Sequence, residues 1–298
     1  MTTSLLHPTR HSIGRHARVF SGLRVLLVLV LLQLLGSCST VRLGYANADT
    51  VIYWWADGYV DFHSSQKAKV KKDIAQLLSW HRATQLPQYV HTLTQMQATL
   101  GANPAPAEIE TVFRQAEQYS QVILLKAVPE LADLLLTIDE SQKNYLARKF
   151  DKNNEEFRDK YLNRTPERQL KERLKKITKQ VDEWLGSVNR EQEAIIARYI
   201  EKHPPNYAQW LEDSMARQRS VLRLLTQIQA EKPSPDVVQT MLQKLILSSY
   251  EPTDPAARVA MQQLVSDILR LSTQEQKKHA RNKLQDWIDD CKYLIAKK

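Results

Sequence analysis

The stretch Pro166-Glu167-Arg168-Gln169-Leu170-Lys171-Glu172-Arg173-Leu174-Lys175-Lys176-Ile177-Thr178-Lys179-Gln180-Val181-Asp182-Glu183-Trp184-Leu185-Gly186 decides the fold class. Leu170, Leu174, Ile177, Val181, Trp184 and Leu185 recur at helical spacing, so one face is apolar and the others carry charge. Pro166 falls where a helix would begin. Outward from this segment the same period continues, as in Val70, Ile74, Leu77 and Leu78, and no sustained two-residue alternation interrupts it. Beyond residue 37 the glycines are Gly44, Gly58, Gly101 and Gly186, too few for strands joined by tight turns.

Prolines punctuate the pattern and predict helices at 48–63, 66–83, 86–100, 106–135, 140–163, 166–186, 189–202, 205–230, 235–249, 255–270 and 274–296, with Pro129 bending the fourth. The expected fold is all-α, an antiparallel helical bundle. Laying the later part of the chain over the earlier one matches Pro87, Tyr89 and Leu93 with Pro205, Tyr207 and Leu211. It also matches Pro104, Pro106 and Ile109 with Pro233, Pro235 and Val238, and Gln142 with Gln276. These pairs are collinear and predict two duplicated multi-helix halves, 48–186 and 187–298; chance likeness between amphipathic helices is the alternative. Thr273-Gln274-Glu275-Gln276 and Asp139-Glu140-Ser141-Gln142 have capping-box spacing, each opening a helix.

At the N-terminus, Arg10, Arg15, Arg18 and Arg24 precede an apolar run, Val25 to Leu35, broken only by Gln33. The run is shorter than the ~20 residues a membrane-spanning helix needs. It ends on Leu35-Gly36-Ser37-Cys38, the pattern of a bacterial lipoprotein signal. The expectation is a signal peptide over 1–37, cleavage before Cys38, and diacylglycerol and N-acyl chains (palmitate-type) on that residue, followed by a linker over 38–47. No other cofactor is expected. Ser39, where Asp would favour inner-membrane retention, points to the periplasmic face of the outer membrane. Removing 37 of 298 residues leaves 261 and lowers the formal charge from +9 to +5, which argues against nucleic acid as a partner. Cys291 is then the one remaining thiol, lies on an apolar stripe with Ala280, Leu284, Trp287, Ile288 and Leu294, and is expected buried.

No metal or catalytic motif stands out. There is no H-E-x-x-H, G-x-S-x-G or glycine-rich phosphate loop, and Asp151, Asn153 and Glu155 lack the glycine and terminal Glu of a calcium loop. The expectation is a non-enzyme. On the helix predicted over 48–63, Ile52, Trp55, Tyr59 and Phe62 share a face expected in the core. Trp54, Asp57 and Asp61 share another, a solvated face or one that receives Arg82 or a basic partner. Trp80-His81-Arg82 is expected to close the second helix, and Asn153 and Asn154, poor helix formers beside Phe150 and Phe157, to bond a neighbouring element. The basic run from Arg164 to Lys179 is a solvated face, or a dock for anionic headgroups.

Two family resemblances follow. Ile138-Asp139-Glu140-Ser141-Gln142 and Ser272-Thr273-Gln274-Glu275-Gln276 resemble the L-T-x-x-Q repeat of the Spy and CpxP group of periplasmic stress proteins, which implies chaperone activity. Tyr45-Ala46-Asn47-Ala48-Asp49, Tyr53-Trp54-Trp55, Asp57-Gly58-Tyr59-Val60-Asp61-Phe62, Trp80-His81-Arg82, Gln85-Leu86-Pro87 and Lys152-Asn153-Asn154 with Phe157 and Tyr161 resemble an uncharacterised proteobacterial lipoprotein family. That resemblance implies a helical lipoprotein and no particular reaction.

The expected function is a lipid-anchored periplasmic binding protein, chaperone-like or engaged in envelope maintenance, whose partners are the membrane and a periplasmic protein or peptide. A structural or assembly subunit of an envelope complex is the alternative. The candidate binding surface comprises Trp54, Trp55, Asp57, Tyr59, Asp61, His81, Arg82, Tyr89, Asn153, Asn154 and Tyr161.

Overall fold

The computed structural model describes residues 40–250 and 254–297, so the signal peptide and Cys38 lie outside the described residues. Among these residues there are twelve α-helices, one π-helical turn and no strand. The chain divides into two units. Of the first only Thr40–Ala46 is described, and it forms helix α1, where the sequence predicts a linker. Everything from Asn47 onward belongs to the second unit.

The second unit contains α2 (Ala48–Val60), α3 (Ser64–Thr99), α4 (Pro106–Lys126), α5 (Val128–Leu135), α6 (Glu140–Phe157) with a π turn at Arg158–Leu162, and α7 (Pro166–Leu185). It continues with α8 (Arg190–Lys202), α9 (Tyr207–Glu231), α10 (Pro235–Ser248), α11 (Pro255–Arg270) and α12 (Gln274–Ala296). Local chemistry sets most of these ends. Thr165 caps α7 by accepting from the Arg168 N–H, Pro166 fills its first turn, and Gly186 stops it in the left-handed region at φ 75°. The break expected around residue 84 does not occur: α3 runs unbroken through Pro87. A mid-helix proline removes one backbone hydrogen bond, and here α3 packs along much of its length on α12, which outweighs that loss. The partners run antiparallel, since Gln97 donates to the Arg281 carbonyl (3.0 Å) while Arg82 donates to that of Lys297 (3.0 Å).

Both predicted capping boxes form. Asp139 accepts from the Gln142 N–H (2.9 Å), Thr273 from the Gln276 N–H (3.2 Å), and each Gln carbonyl accepts from its cap residue's N–H in return. Two further glutamines occupy the same position, Gln66 reaching back to the His63 N–H (2.9 Å) and Gln192 to that of Asn189 (3.0 Å). All four are buried. Gln66 and Gln142 exchange amide hydrogen bonds (3.2 and 2.8 Å), and so do Gln192 and Gln276 (3.3 and 2.9 Å). Gln142 also donates to the carbonyl of Asp61, five residues before Gln66, and Gln276 to that of Ser187, five residues before Gln192.

These paired clamps fix the register of an internal repeat. Gln66 matches Gln192, Pro106 matches Pro235, and Gln142 matches Gln276, with offsets rising from 126 to 129 to 134. Pro87 and Pro205 are not equivalent, because one lies inside α3 and the other in the link between α8 and α9. Helix α2 then corresponds to α7, α3 to α8 with α9, α4 to α10, α5 to α11 and α6 to α12, so in this register the second copy opens at Pro166, before α7, rather than at residue 187 as the sequence predicts. The packing follows this equivalence across the halves: α3 lies on α12 and α9 on α6, α4 on α11 and α10 on α5.

Candidate functional site

The repeat exposes a difference between the two halves. Behind α7, the side chains of Leu185, Ile196, Tyr199, Ile200, Leu264 and Ile268 form a buried core, with Ile177 and Val181 packed against it. Behind α2 the corresponding core contains only Tyr53, Phe62 and Val70 as buried residues. The matched glutamines align Val70 with Ile196 and Ile74 with Ile200, but Asp73 with Tyr199. The left-handed residues that end α2 and α7, Asp61 and Gly186, align Ile52 with Ile177 and Val60 with Leu185, but Ala56 with Val181. Two large side chains in the second half are thus replaced by small or polar ones in the first.

The volume left behind is an open groove of about 410 Å³ between α2, α3 and α5. Ile52, Trp55, Ala56, Phe62, Val70, Ile74, Leu77, Trp80, Leu131 and Leu134 supply its apolar walls. The size and apolar character are those of a ligand site. Asp73, Gln76, Lys126 and Glu130 also line it. Lys69 bonds Asp73 (2.8 Å) and lies 3.3 Å from Asp133, and these contacts raise the Lys69 pKa above its ordinary value, the Asp73 hydrogen bond most strongly. Lys126 stands 5.9 Å from the centre of the Trp80 ring. Asp73 is thus held by Lys69, and Lys126 lies against Trp80, so the polar lining stands among aromatic and aliphatic carbons.

The core face expected for α2 needs correction. Tyr53 is its buried residue, whereas Trp55 is 66% exposed and Trp54 64%. The helix reaches its core through Tyr53, Ala56 and Val60, a face turned away from Trp55, and Phe62 is buried only after the chain has left the helix. Tyr59 is half-buried, its hydroxyl accepting from the Asn153 amide (2.8 Å), and its ring lies 5.1 Å from that of Trp55. Asp57 does not meet Arg82. Its carboxylate accepts from the Phe62 N–H (2.9 Å) and its carbonyl from the Asp61 N–H (2.8 Å), closing the helix end. Asp61 is left-handed at φ 55° and offers its carbonyl to Gln142.

His81 and Arg82 lie in the middle of α3 rather than at a helix end. His81 Nε2 is 3.2 Å from the Tyr89 hydroxyl, burial lowers its pKa, and the Tyr89 ring packs 4.7 Å from Tyr119. Asn154 is buried and exchanges amide hydrogen bonds with Gln218 (2.8 and 3.0 Å), joining α6 to α9. Tyr161 belongs to a separate cluster in which Phe157 stacks on Trp210 at 4.4 Å and Tyr161 lies 4.8 Å from Tyr207. The structure therefore brings Trp55, Tyr59 and Asn153 together on one side of α2, and sets His81 with Tyr89, and Tyr161 with Trp210, apart from them. Only Trp55 of the predicted residues lines the groove. In the basic run, Arg164 and Arg168 pair with Glu172, and Lys179 with Glu183 (3.6 Å). Cys291 is buried, and that burial pushes its thiol pKa up.

What sequence reasoning missed was the emptiness beside Ala56 and Asp73. An alignment of Gln66 with Gln192 would have revealed it, and Asn189-x-x-Gln192 was a visible capping signal.

Among the described residues no helix is long and apolar enough to cross a membrane. Among the described residues the fold and groove define an all-helical protein with an internal repeat and an open groove in its first half. The chain belongs to DUF6279, a family of unknown function, whose model matches residues 58–251, from the end of α2 past the end of α10. No curated protein and no solved structure matches it.

Proposed function

We propose that this is a lipid-anchored protein of the periplasmic face of the outer membrane that acts as a chaperone-like binder, taking apolar segments of envelope proteins into the α2–α3–α5 groove without bond-making chemistry. The observation that carries it is the groove itself, an open apolar volume at the position where the other half of the same chain is filled. Its walls are aromatic and aliphatic, and a shallow groove of this kind accepts many sequences weakly. The lipoprotein signal at Cys38 supports the address.

The test copies the filled half into the open one. Ala56→Val with Asp73→Tyr adds apolar volume; the valine alone gains about 1.6 kcal/mol of transfer free energy against about 0.6 kcal/mol of lost helix propensity. The variant is expected to melt at least about 2 °C higher and to lose suppression of client aggregation, measured by light scattering with several unfolded proteins. Suppression equal to that of the parent would sink the proposal. Stable co-purification of one envelope protein, with no suppression of any client, would identify an assembly subunit instead.

A further inference from the structure

We propose that the outward face of α2 docks on an anionic phospholipid bilayer, so that the groove opens at the membrane surface. The clause about the groove rests on the function proposed above; the docking itself does not. Val51, Ile52, Trp54 and Trp55 are 62%, 37%, 64% and 66% exposed. At 100° per residue they cover a contiguous arc of roughly 160°, opposite the buried Tyr53 and Val60 face, and the helix's acids, Asp49 and Asp57, fall outside it. A helix apolar on both its core and its solvent side has a second surface to cover.

Charge near the two indoles indicates which surface. Lys71 Nζ stands 4.7 Å from the centre of the Tyr53 ring, which meets Trp54 edge-on at 5.5 Å, and Lys149 Nζ stands 5.7 Å from that of Tyr59, which lies 5.1 Å from Trp55. Two exposed indoles on an uncharged arc, each with a lysine one ring away, match an interface in which rings sit at headgroup depth and ammonium groups meet phosphates. A protein groove would instead call for a complementary shape at its edges, and a second copy would set lysine against lysine. Cys38, the expected acylation site, precedes Val51 by thirteen residues, at most about 45 Å of chain. Tethering at that length gives the arc a high effective concentration at the bilayer, so modest intrinsic affinity suffices. Ile52 and Trp55 also line the groove, which therefore faces apolar segments lying at the membrane.

The experiment uses the full mature chain from residue 38 with Cys38→Ser, which removes the anchor and isolates the face. Co-sedimentation is measured with vesicles of phosphatidylethanolamine containing phosphatidylglycerol, and with vesicles of phosphatidylcholine alone. Binding to the anionic vesicles is expected, with tryptophan fluorescence quenched by brominated lipid. Val51→Ser with Trp54→Ser, neither of which lines the groove, should weaken it at least about ten-fold, with the helical circular dichroism and a cooperative melt retained. Lys71→Glu with Lys149→Glu should remove the preference for anionic over phosphatidylcholine vesicles. Absence of binding to both vesicle types overturns the docking, as does undiminished binding by the Val51/Trp54 variant. Because the Ala56/Asp73 variant leaves Val51 and Trp54 intact, its loss of client binding without loss of vesicle binding separates a failure of the groove reading from a failure of this one.

Discussion

Asp139 performs three tasks at one helix end. One carboxylate oxygen accepts from the Gln142 N–H and the Ser141 hydroxyl (2.9 Å each), while the other lies 2.8 Å from His63 Nε2, so the caps of α6 and α3 are joined. The Gln142 hydrogen bond, followed by those of His63 and Ser141, lowers the Asp139 pKa from its ordinary 3.8 to about 2. A carboxylate whose pKa is depressed on folding binds its proton more readily in the unfolded chain, so its stabilising effect is complete above the unfolded value and disappears as pH falls from 3.8 through 2. The equivalent cap in the second half is Thr273, which carries no charge. Asp139→Asn preserves a capping oxygen and removes the titration. Its urea midpoint is therefore expected to fall less than the parent's between about pH 6 and about pH 2.5. Equal falls in the two proteins would show that the charge at this cap contributes nothing to acid sensitivity.

At the level of elements, the two halves solve the same turn with different residues. The chain leaves α2 and α7 through a left-handed residue, Asp61 at φ 55° and Gly186 at φ 75°. An added Cβ at Gly186 would lie 2.8 Å from Nδ1 and 2.9 Å from Cγ of the His279 ring, so Gly186→Ala meets both backbone strain and a side chain that has to give way. Thermal melts should show a loss of about 1–3 kcal/mol for that variant, and a gain of up to about 1 kcal/mol for Asp61→Gly; a neutral Gly186→Ala would rule out the strain argument. The helical class and the caps at Asp139 and Thr273 are legible because each depends on residues close in sequence. Pro87 misled because its cost is local while the packing of α3 on α12 joins residues nearly two hundred positions apart. The His63 box was hidden for another reason: histidine is not a usual cap, and its ring turns to Asp139 instead. Trp55 differs from its expected core position because period alone identifies an apolar face without saying whether another element covers it.

For the whole molecule, the decisive property is that each half completes its packing with the other. Helix α3 needs α12 and α9 needs α6, while α4 meets α11 and α5 meets α10; the buried cluster of Val128, Ala132, Ile228, Val238 and Leu242 draws on α5, α9 and α10 together. Arg258 on α11 reinforces the join, bonding Glu110 (2.9 Å) and Glu117 (2.5 Å) on α4, and these bonds raise its pKa further. The repeat was visible in sequence, but its mode of packing was not, since equivalent apolar stripes pair as readily within a half as across. Crossed packing predicts that neither half is a folding unit. Residues 166–298 expressed alone would expose the α4-facing side of α11 and the α3-facing side of α12. They should show helical circular dichroism without a cooperative melt. In the full mature chain, urea unfolding followed by tryptophan fluorescence and by far-ultraviolet circular dichroism should coincide in one transition, because Trp80 on α3 and Trp184 and Trp287 on α7 and α12 report on both halves. Two separated transitions, or a sharp melt from the isolated second half, would mean that the interface between halves is weaker than its interlocked helices imply.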